Sequence, residues 1–291
     1  MFLSPSPATT DAAAVETTTT TNSNNQAEQP PAPSSTTSTL VSIEDIAALL
    51  HSTPTFCLVD PNGVPFMVVG EDAKVTGYFF TSFGEAQRIL QLAKTSAEKA
   101  IRQAKKEGLE DDSNNTVADN PWRNARISTV PLDTAVTLVY KSSRTKGVYF
   151  KVAPAVQDVQ DALLVSGQGG DDDDNDLAEG KVPLFYYEDF QDSNGKSPLF
   201  FRKKELEQAW DKANPPKQRQ LQQERPPLMV TELFSVLGEL GRPTTGNIKE
   251  DEELRNLILQ PPKESQAKAK ECLKKGGDAP AFVIGQRIIV L

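Results

Sequence analysis

An internal duplication constrains this chain more than any other feature: a stretch starting near residue 53 is echoed by one starting near residue 182. Thr53-Pro54-Thr55-Phe56 answers to Val182-Pro183-Leu184-Phe185, each opening a strand-like run and each preceded by a helical pattern. At a constant offset, Phe79 and Phe80 match Leu199 and Phe200, and Glu85 matches Glu205. Ala86, Ile89, Leu90 and Ala93 then match Leu206, Ala209, Trp210 and Ala213. Farther on, Val130 and Val136 correspond to Val230 and Val236, each pair following a polar or Pro-rich loop. A repeated supersecondary unit of this kind implies two similar modules built around equivalent apolar positions.

Local signals give each module its elements. Ser42 is a good N-cap before Ile43, Ile46, Ala47 and Leu50, which share one face and predict a helix over 43–51. Residues 55–59 and 64–69 read as strands joined by a turn at Asp60-Pro61-Asn62-Gly63, and 75–80 as a third strand. Ser82-Phe83-Gly84-Glu85 has the pattern of a capping box opening a helix that runs to about Gly108. A strand at 127–130, a short helix at 132–138 and a strand at 148–152 complete the unit, and Val156, Val159, Ala162 and Leu163 form the helical pattern before the second. The expected class is α+β, with two pseudosymmetric repeats at 39–166 and 181–291, each a small antiparallel or mixed sheet packed with helices. Residues 1–38 are mostly Thr, Ser, Ala, Pro, Asn and Gln and are expected to be a disordered tail. Residues 167–180, with Asp171, Asp172, Asp173 and Asp174, are expected to be a solvated acidic linker.

Composition narrows the function. The formal net charge of -9 disfavours nucleic acid as a partner, because phosphate binding needs a basic face. No apolar run approaches the roughly 18 residues of a membrane-spanning helix. The first Lys or Arg is Lys74, and Asp11, Glu16 and Glu28 argue against an intact transit peptide. Cys57 and Cys272 are the only cysteines, too few for a four-ligand zinc site, although they leave room for one long-range disulfide. Cys57 lies in an apolar strand and reads as a small hydrophobe, while Cys272 stands among Lys268, Lys270, Lys274 and Lys275 on a solvated helix. The single histidine, His51, closes a helix and leaves His-based catalysis without parts. Ser166-Gly167-Gln168-Gly169-Gly170 runs into aspartates, which would repel phosphate. No catalytic, cofactor or metal site is expected, and the chain reads as a binding protein and not an enzyme.

A duplicated unit with a Val-Pro-Leu-Phe start at 182–185 and a Leu-Phe-Phe strand at 199–201 feeding a Lys-rich helix resembles the 22-kilodalton Tic component family of chloroplast protein import. The resemblance covers about 42–240 and is strongest over 182–213 and 42–50, with 107–124, 168–180 and 245–280 reading as insertions. It implies a two-fold pseudosymmetric α+β protein of the plastid envelope intermembrane space. Such a protein chaperones unfolded preproteins or transit peptides between outer and inner translocons, with translocon subunits as partners. Tyr78, Phe79, Phe80, Leu199, Phe200 and Phe201, together with Trp210, are the candidate peptide-binding residues. Strand alternation makes both faces of their strands apolar, so one face covers helices and the other is either a second buried layer or an exposed groove. Lys94, Lys99, Arg102, Lys105 and Lys106 form a solvated face whose functional reading is docking to acidic translocon surfaces or to lipid headgroups as a peripheral contact. The alternatives are a structural adaptor that holds no cargo and, least favoured, an enzyme acting through Cys57 or Cys272.

Overall fold

Short β-branched and aromatic runs punctuated by Asp-x-Asn-Gly turns and capped helices give two small mixed sheets in the computed structural model, which describes residues 39–69, 74–107, 120–142, 147–167, 181–215, 225–274 and 287–289. The expected tail and nearly all of the acidic linker lie outside these residues. The first half comprises α1 (Ile43–His51), β1 (Pro54–Val59), β2 (Phe66–Val69), β3 (Val75–Phe80), α2 (Phe83–Lys106), β4 (Arg126–Pro131), α3 (Leu132–Ser142) and β5 (Val148–Ala153). The second comprises α4 (Val156–Val165), β6 (Pro183–Tyr187), β7 (Ser197–Phe200), α5 (Lys203–Ala213), β8 (Leu228–Glu232), α6 (Leu233–Leu240), α7 (Ile248–Arg255), β9 (Leu257–Gln260), α8 (Lys263–Lys274) and β10 (Arg287–Ile289).

The two sheets share one wiring pattern. In the first, β1 pairs antiparallel with β4 and β3, and β3 pairs parallel with β5; in the second, β6 pairs antiparallel with β8 and β7, and β7 parallel with β9. Phe56 lies opposite Phe80 as Phe185 lies opposite Phe200. The amides of Leu132 and Leu233 donate to the carbonyls of Thr53 and Val182, each at 2.9 Å. One turn is repeated as well. Asp60 Oδ1 accepts from the amides of Asn62 and Val64, and Asp192 Oδ1 from those of Asn194 and Lys196, with Gly63 and Gly195 at φ 84° and 72°. Among the described residues, the hairpin of β2 with β3, which β10 joins in parallel, belongs to the first sheet only.

Register corrects two expected equivalences. Pro54 pairs with Pro131 and Pro183 with Glu232, so the counterpart of Val130 is Thr231, one residue beyond Val230. A slip of one residue exchanges the two faces of a strand. The helical pattern at 156–165 corresponds to α8, not to α1. Helix α4 follows β5 of the first sheet but packs on β6 and β8, while α8 follows β9 of the second sheet but packs on β1, β4 and α2. Each sheet therefore takes one of its covering helices from directly after a strand of the other sheet. Residues 245–280, expected to be an insertion, include β9 and α8, which complete this exchange.

Three apolar clusters result. Cys57, Val59 and Phe79 of the first sheet and Leu184, Leu199 and Leu259 of the second share a central core with Leu50, Leu132 and Leu233. Phe56, Leu58 and Phe80 point the other way, under α2 and Ala269 of α8. Phe185, Tyr187 and Phe200 pack with Ala162 of α4 and with Leu206 and Trp210 of α5. Gly77 marks the tightest point of the first sheet: a Cβ there would stand 2.8 Å from both Met67 Sδ and Phe150 Cε1. Gly77→Ala is expected to cost about 1–3 kcal/mol through overpacking, read as a lower urea midpoint at unchanged slope.

Candidate functional site: a groove on the second sheet

Where the central face of the first sheet is filled, that of the second is open. Phe79 and Phe150 stack there with ring centroids 5.5 Å apart. The parallel pairings of β3 with β5 and of β7 with β9 make Leu199 the counterpart of Phe79 and Leu257 that of Phe150. Two leucines in place of two phenylalanines, with α7 inserted before β9, leave a groove of about 540 Å³. Tyr186, Leu199, Val236, Leu254 and Leu257 form its apolar floor, and α6, α7 and the β6–β7 connection its walls.

The rim is acidic. Glu188, Asp189, Glu239, Glu250 and Glu253 stand against Arg242 and Lys249, five acids to two bases. Arg242 Nη2 donates to Glu250 at 2.6 Å, its Nε lies 2.8 Å from Glu239, and Lys249 lies 3.7 Å from Glu253. Asp189 adopts φ 59°, left-handed for a non-glycine residue, in the segment that raises Glu188 and itself at one end of the groove. Helix α7 is held mostly by polar contacts. Asp251 accepts from the Thr245 hydroxyl at 2.9 Å, and Arg255 Nε donates to the Leu40 carbonyl at 3.2 Å. Residues 39–41 strap this wall: the Leu40 amide donates to Arg242 O at 2.7 Å and the Val41 amide to Leu240 O at 3.1 Å. A neighbouring cavity of about 450 Å³ beneath the strap shares Leu254 and Leu257 with the groove.

Of the residues expected to bind peptide, all but Leu199 lie elsewhere. Phe79, Phe80, Leu199, Phe200 and Phe201 are 0–7% exposed, and Tyr78 is half-buried. Phe79, Leu199 and Phe201 belong to the central core; Phe80 and Phe200, with Tyr78 beside Phe80, belong to the outer layers under the helices. Both faces of these strands are thus buried layers, and of the six only Leu199 reaches the groove. Trp210 packs edge-on against Tyr187 and Phe190. Tyr186, Val236, Leu254 and Leu257 escaped sequence reasoning. Their signal was the replacement of Phe150 by Leu257, visible only once β9 is aligned with β5.

The remaining candidates do not line the groove. Burial pushes the Cys57 thiol up to about 12, so it holds its proton, and Cys57 and Cys272 are both free thiols. His51 Nδ1 lies 2.9 Å from Asp133 Oδ2 on the surface, tying the end of α1 to the start of α3. The capping box at Ser82 does not form: Ser82 Oγ accepts from Arg202 Nη2 at 3.2 Å, and Glu85 binds Arg88 at 2.6 Å. Lys99, Arg102, Lys105 and Lys106 are exposed and Lys94 half-buried. Among the described residues, no helix is long and apolar enough to cross a membrane.

Against known proteins, the Tic22-like family model matches residues 12–271. No curated protein matches. Two solved structures share the fold. Tic22 from Plasmodium falciparum has a TM-score of 0.52 at 18% identity, covering 79% of this chain and 98% of that one. Anabaena Tic22 (protein transport) has a TM-score of 0.52 at 18% identity, covering 79% of this chain and 97% of that one. With most of its length matched by the family model, the chain belongs to the Tic22-like family.

Proposed function

We propose that this chain is a protein-import factor that holds unfolded preprotein segments in the groove of its second sheet, in the plastid envelope intermembrane space. The observation that carries this reading is the open apolar floor of Tyr186, Leu199, Val236, Leu254 and Leu257 beneath an acidic rim. Transit-type segments are basic and carry scattered apolar residues. The floor takes the apolar side chains, and Glu188, Asp189 and their neighbours attract the basic ones. The family match and the protein-transport role of Anabaena Tic22 agree with it. Binding of this kind needs no covalent step, in keeping with the protonated Cys57 and the structural pairing of His51.

The filled first sheet supplies the test. Leu199→Phe with Leu257→Phe rebuilds in the groove the aromatic pair that Phe79 and Phe150 form. A fluorescent basic-apolar transit-type peptide is expected to bind this double variant at least tenfold more weakly, since displacing one anchoring side chain forfeits about 1.5–3 kcal/mol. Its melting temperature should be unchanged or raised. Added salt should weaken binding to the wild type, because the rim is exposed. Wild-type peptide affinity in a stable double variant would remove the groove from the reading and leave the adaptor role.

A further inference from the structure

The connection between β6 and β7 is longer than its counterpart in the first sheet, and the extra residues separate two cavities. Phe56 and Phe185 hold equivalent strand positions, so Leu58 answers to Tyr187, and Asp60 and Asp192 open the same turn. Between Leu58 and Asp60 stands Val59 alone, fully buried; between Tyr187 and Asp192 stand Glu188, Asp189, Phe190 and Gln191, four residues against one. Among the described residues, Asp189 is the one non-glycine with a left-handed backbone, at φ 59°, a conformation that persists only where its surroundings impose it. Here the Phe190 amide donates to the Tyr187 carbonyl at 3.2 Å, and the Phe190 ring meets Trp210 edge-on with centroids 5.5 Å apart. The longer connection is thus a pinned ridge.

On one side of the ridge lies the groove; on the other is a hollow of about 520 Å³, and Glu188, Asp189, Phe190 and Gln191 border both. Trp210 of α5 and Pro226 with Pro227, ahead of β8, give the hollow an aromatic and prolyl lining, which suits one apolar side chain of a passing polypeptide. The acids of the groove rim fall into two sets. Glu239 and Glu250 bind Arg242 and Glu253 binds Lys249, whereas Glu188 and Asp189 are exposed and have no ion-pair partner among the described residues. The two unpaired carboxylates are those that stand between the cavities.

We propose that this ridge reads the order of side chains in a client. An extended segment lays one apolar side chain in the groove, a Lys or Arg on Glu188 and Asp189, and a second apolar side chain in the hollow at Trp210. Alternate residues of an extended chain share a face, so the three occur at alternate positions. The ligand class is therefore an extended segment of apolar-basic-apolar order, and the inference rests on the groove being the client site. An exposed ion pair contributes little affinity by itself; its effect is to set register, because the base on the ridge decides which neighbours fall into the two cavities.

Two tryptophan-free peptides of one composition, titrated calorimetrically into the full chain, test this. One carries leucine, lysine and leucine at alternate positions in a serine background, and its isomer has the lysine moved outside the leucine pair. Trp122 is buried in the outer layer of the first sheet, so a shift in tryptophan emission reports Trp210. The ordered peptide is expected to bind at least about fivefold more tightly than its isomer and to shift the emission, which the isomer leaves unmoved. Glutamine in place of its lysine should abolish that advantage. In Glu188→Gln with Asp189→Asn, which keeps both side-chain shapes and suits the left-handed backbone at 189, the two peptides should bind alike. Equal binding of the two peptides to the wild type, an advantage that survives loss of the lysine or of the two carboxylates, or unmoved emission with the ordered peptide bound overturns the ridge reading and leaves the groove standing. If neither peptide binds, the groove fails and the ridge with it.

Discussion

Phe80→Ser and Phe200→Ser are each expected to lower the unfolding free energy by about 3–5 kcal/mol, because each empties a ring-sized volume and buries a hydroxyl. Phe80 and Phe200 are only 6% and 7% exposed, and their strand partners Phe56 and Phe185 are fully buried. The two sites lie in separate clusters, one beneath α2 and α8, the other beneath α4 and α5. Their costs should therefore add, to at least about 6 kcal/mol in the double variant, a large share of the roughly 5–15 kcal/mol that holds a domain folded. Urea titration followed by circular dichroism should place the single variants at clearly lower midpoints and find the double variant largely unfolded. Single variants within about 1 kcal/mol of the wild type would mean that these strands are not packed on both faces.

Arg202→Ala should cost about 3 kcal/mol near pH 8 and at most half of that near pH 5. At the higher pH the variant strands the buried Asp158 carboxylate without its neighbouring cation, or forces it to take up a proton. At the lower pH Asp158 is already neutral, and only the contacts of Arg202 with Ser82 and Glu264 are lost. The sign follows from linkage. The folded carboxyl titrates near 7, above its ordinary value of 3.8, so the folded state binds the proton more tightly and stability falls as pH rises between those values. Removing Arg202, which opposes the shift, carries that fall on to higher pH. Urea unfolding at both pH values measures it. An equal cost at both would mean that Arg202 stabilises the joint through Ser82 and Glu264 alone.

The sequence showed most of the elements and one of the two reasons they match. Phe56, Phe80, Phe185 and Phe200 were legible as equivalent positions because strand ends carry strong apolar and Pro-bearing signals, and the structure pairs them as the duplication requires. The repeated turns at Asp60 and Asp192 carried an equally good signal that the apolar alignment passed over. What resisted reading was non-local. Val130 aligned with Val230 by residue type, whereas backbone pairing assigns it to Thr231, because apolar type does not fix register when both faces are buried. Ser82 with Glu85 reads as a capping box locally, but Arg202, distant in sequence, claims the serine. The groove was hidden for the same reason. Leu257 means nothing until β9 is recognised as the partner of β5, and α7 and the polar run before it disguise that strand.

The exchange of helices between the sheets also bears on how such a chain is made. Ser265 closes a junction at Thr81, 184 residues earlier, and α8 completes the layer over Phe56, Leu58 and Phe80. During synthesis from the N-terminus, the first sheet stands without that cover until α8 itself has left the ribosome. At about 5–20 residues per second, its phenylalanine face stays incompletely shielded for roughly ten seconds or more. The nascent first half is then itself a client in need of shelter, and a chain truncated before α8 would leave that face partly uncovered for good.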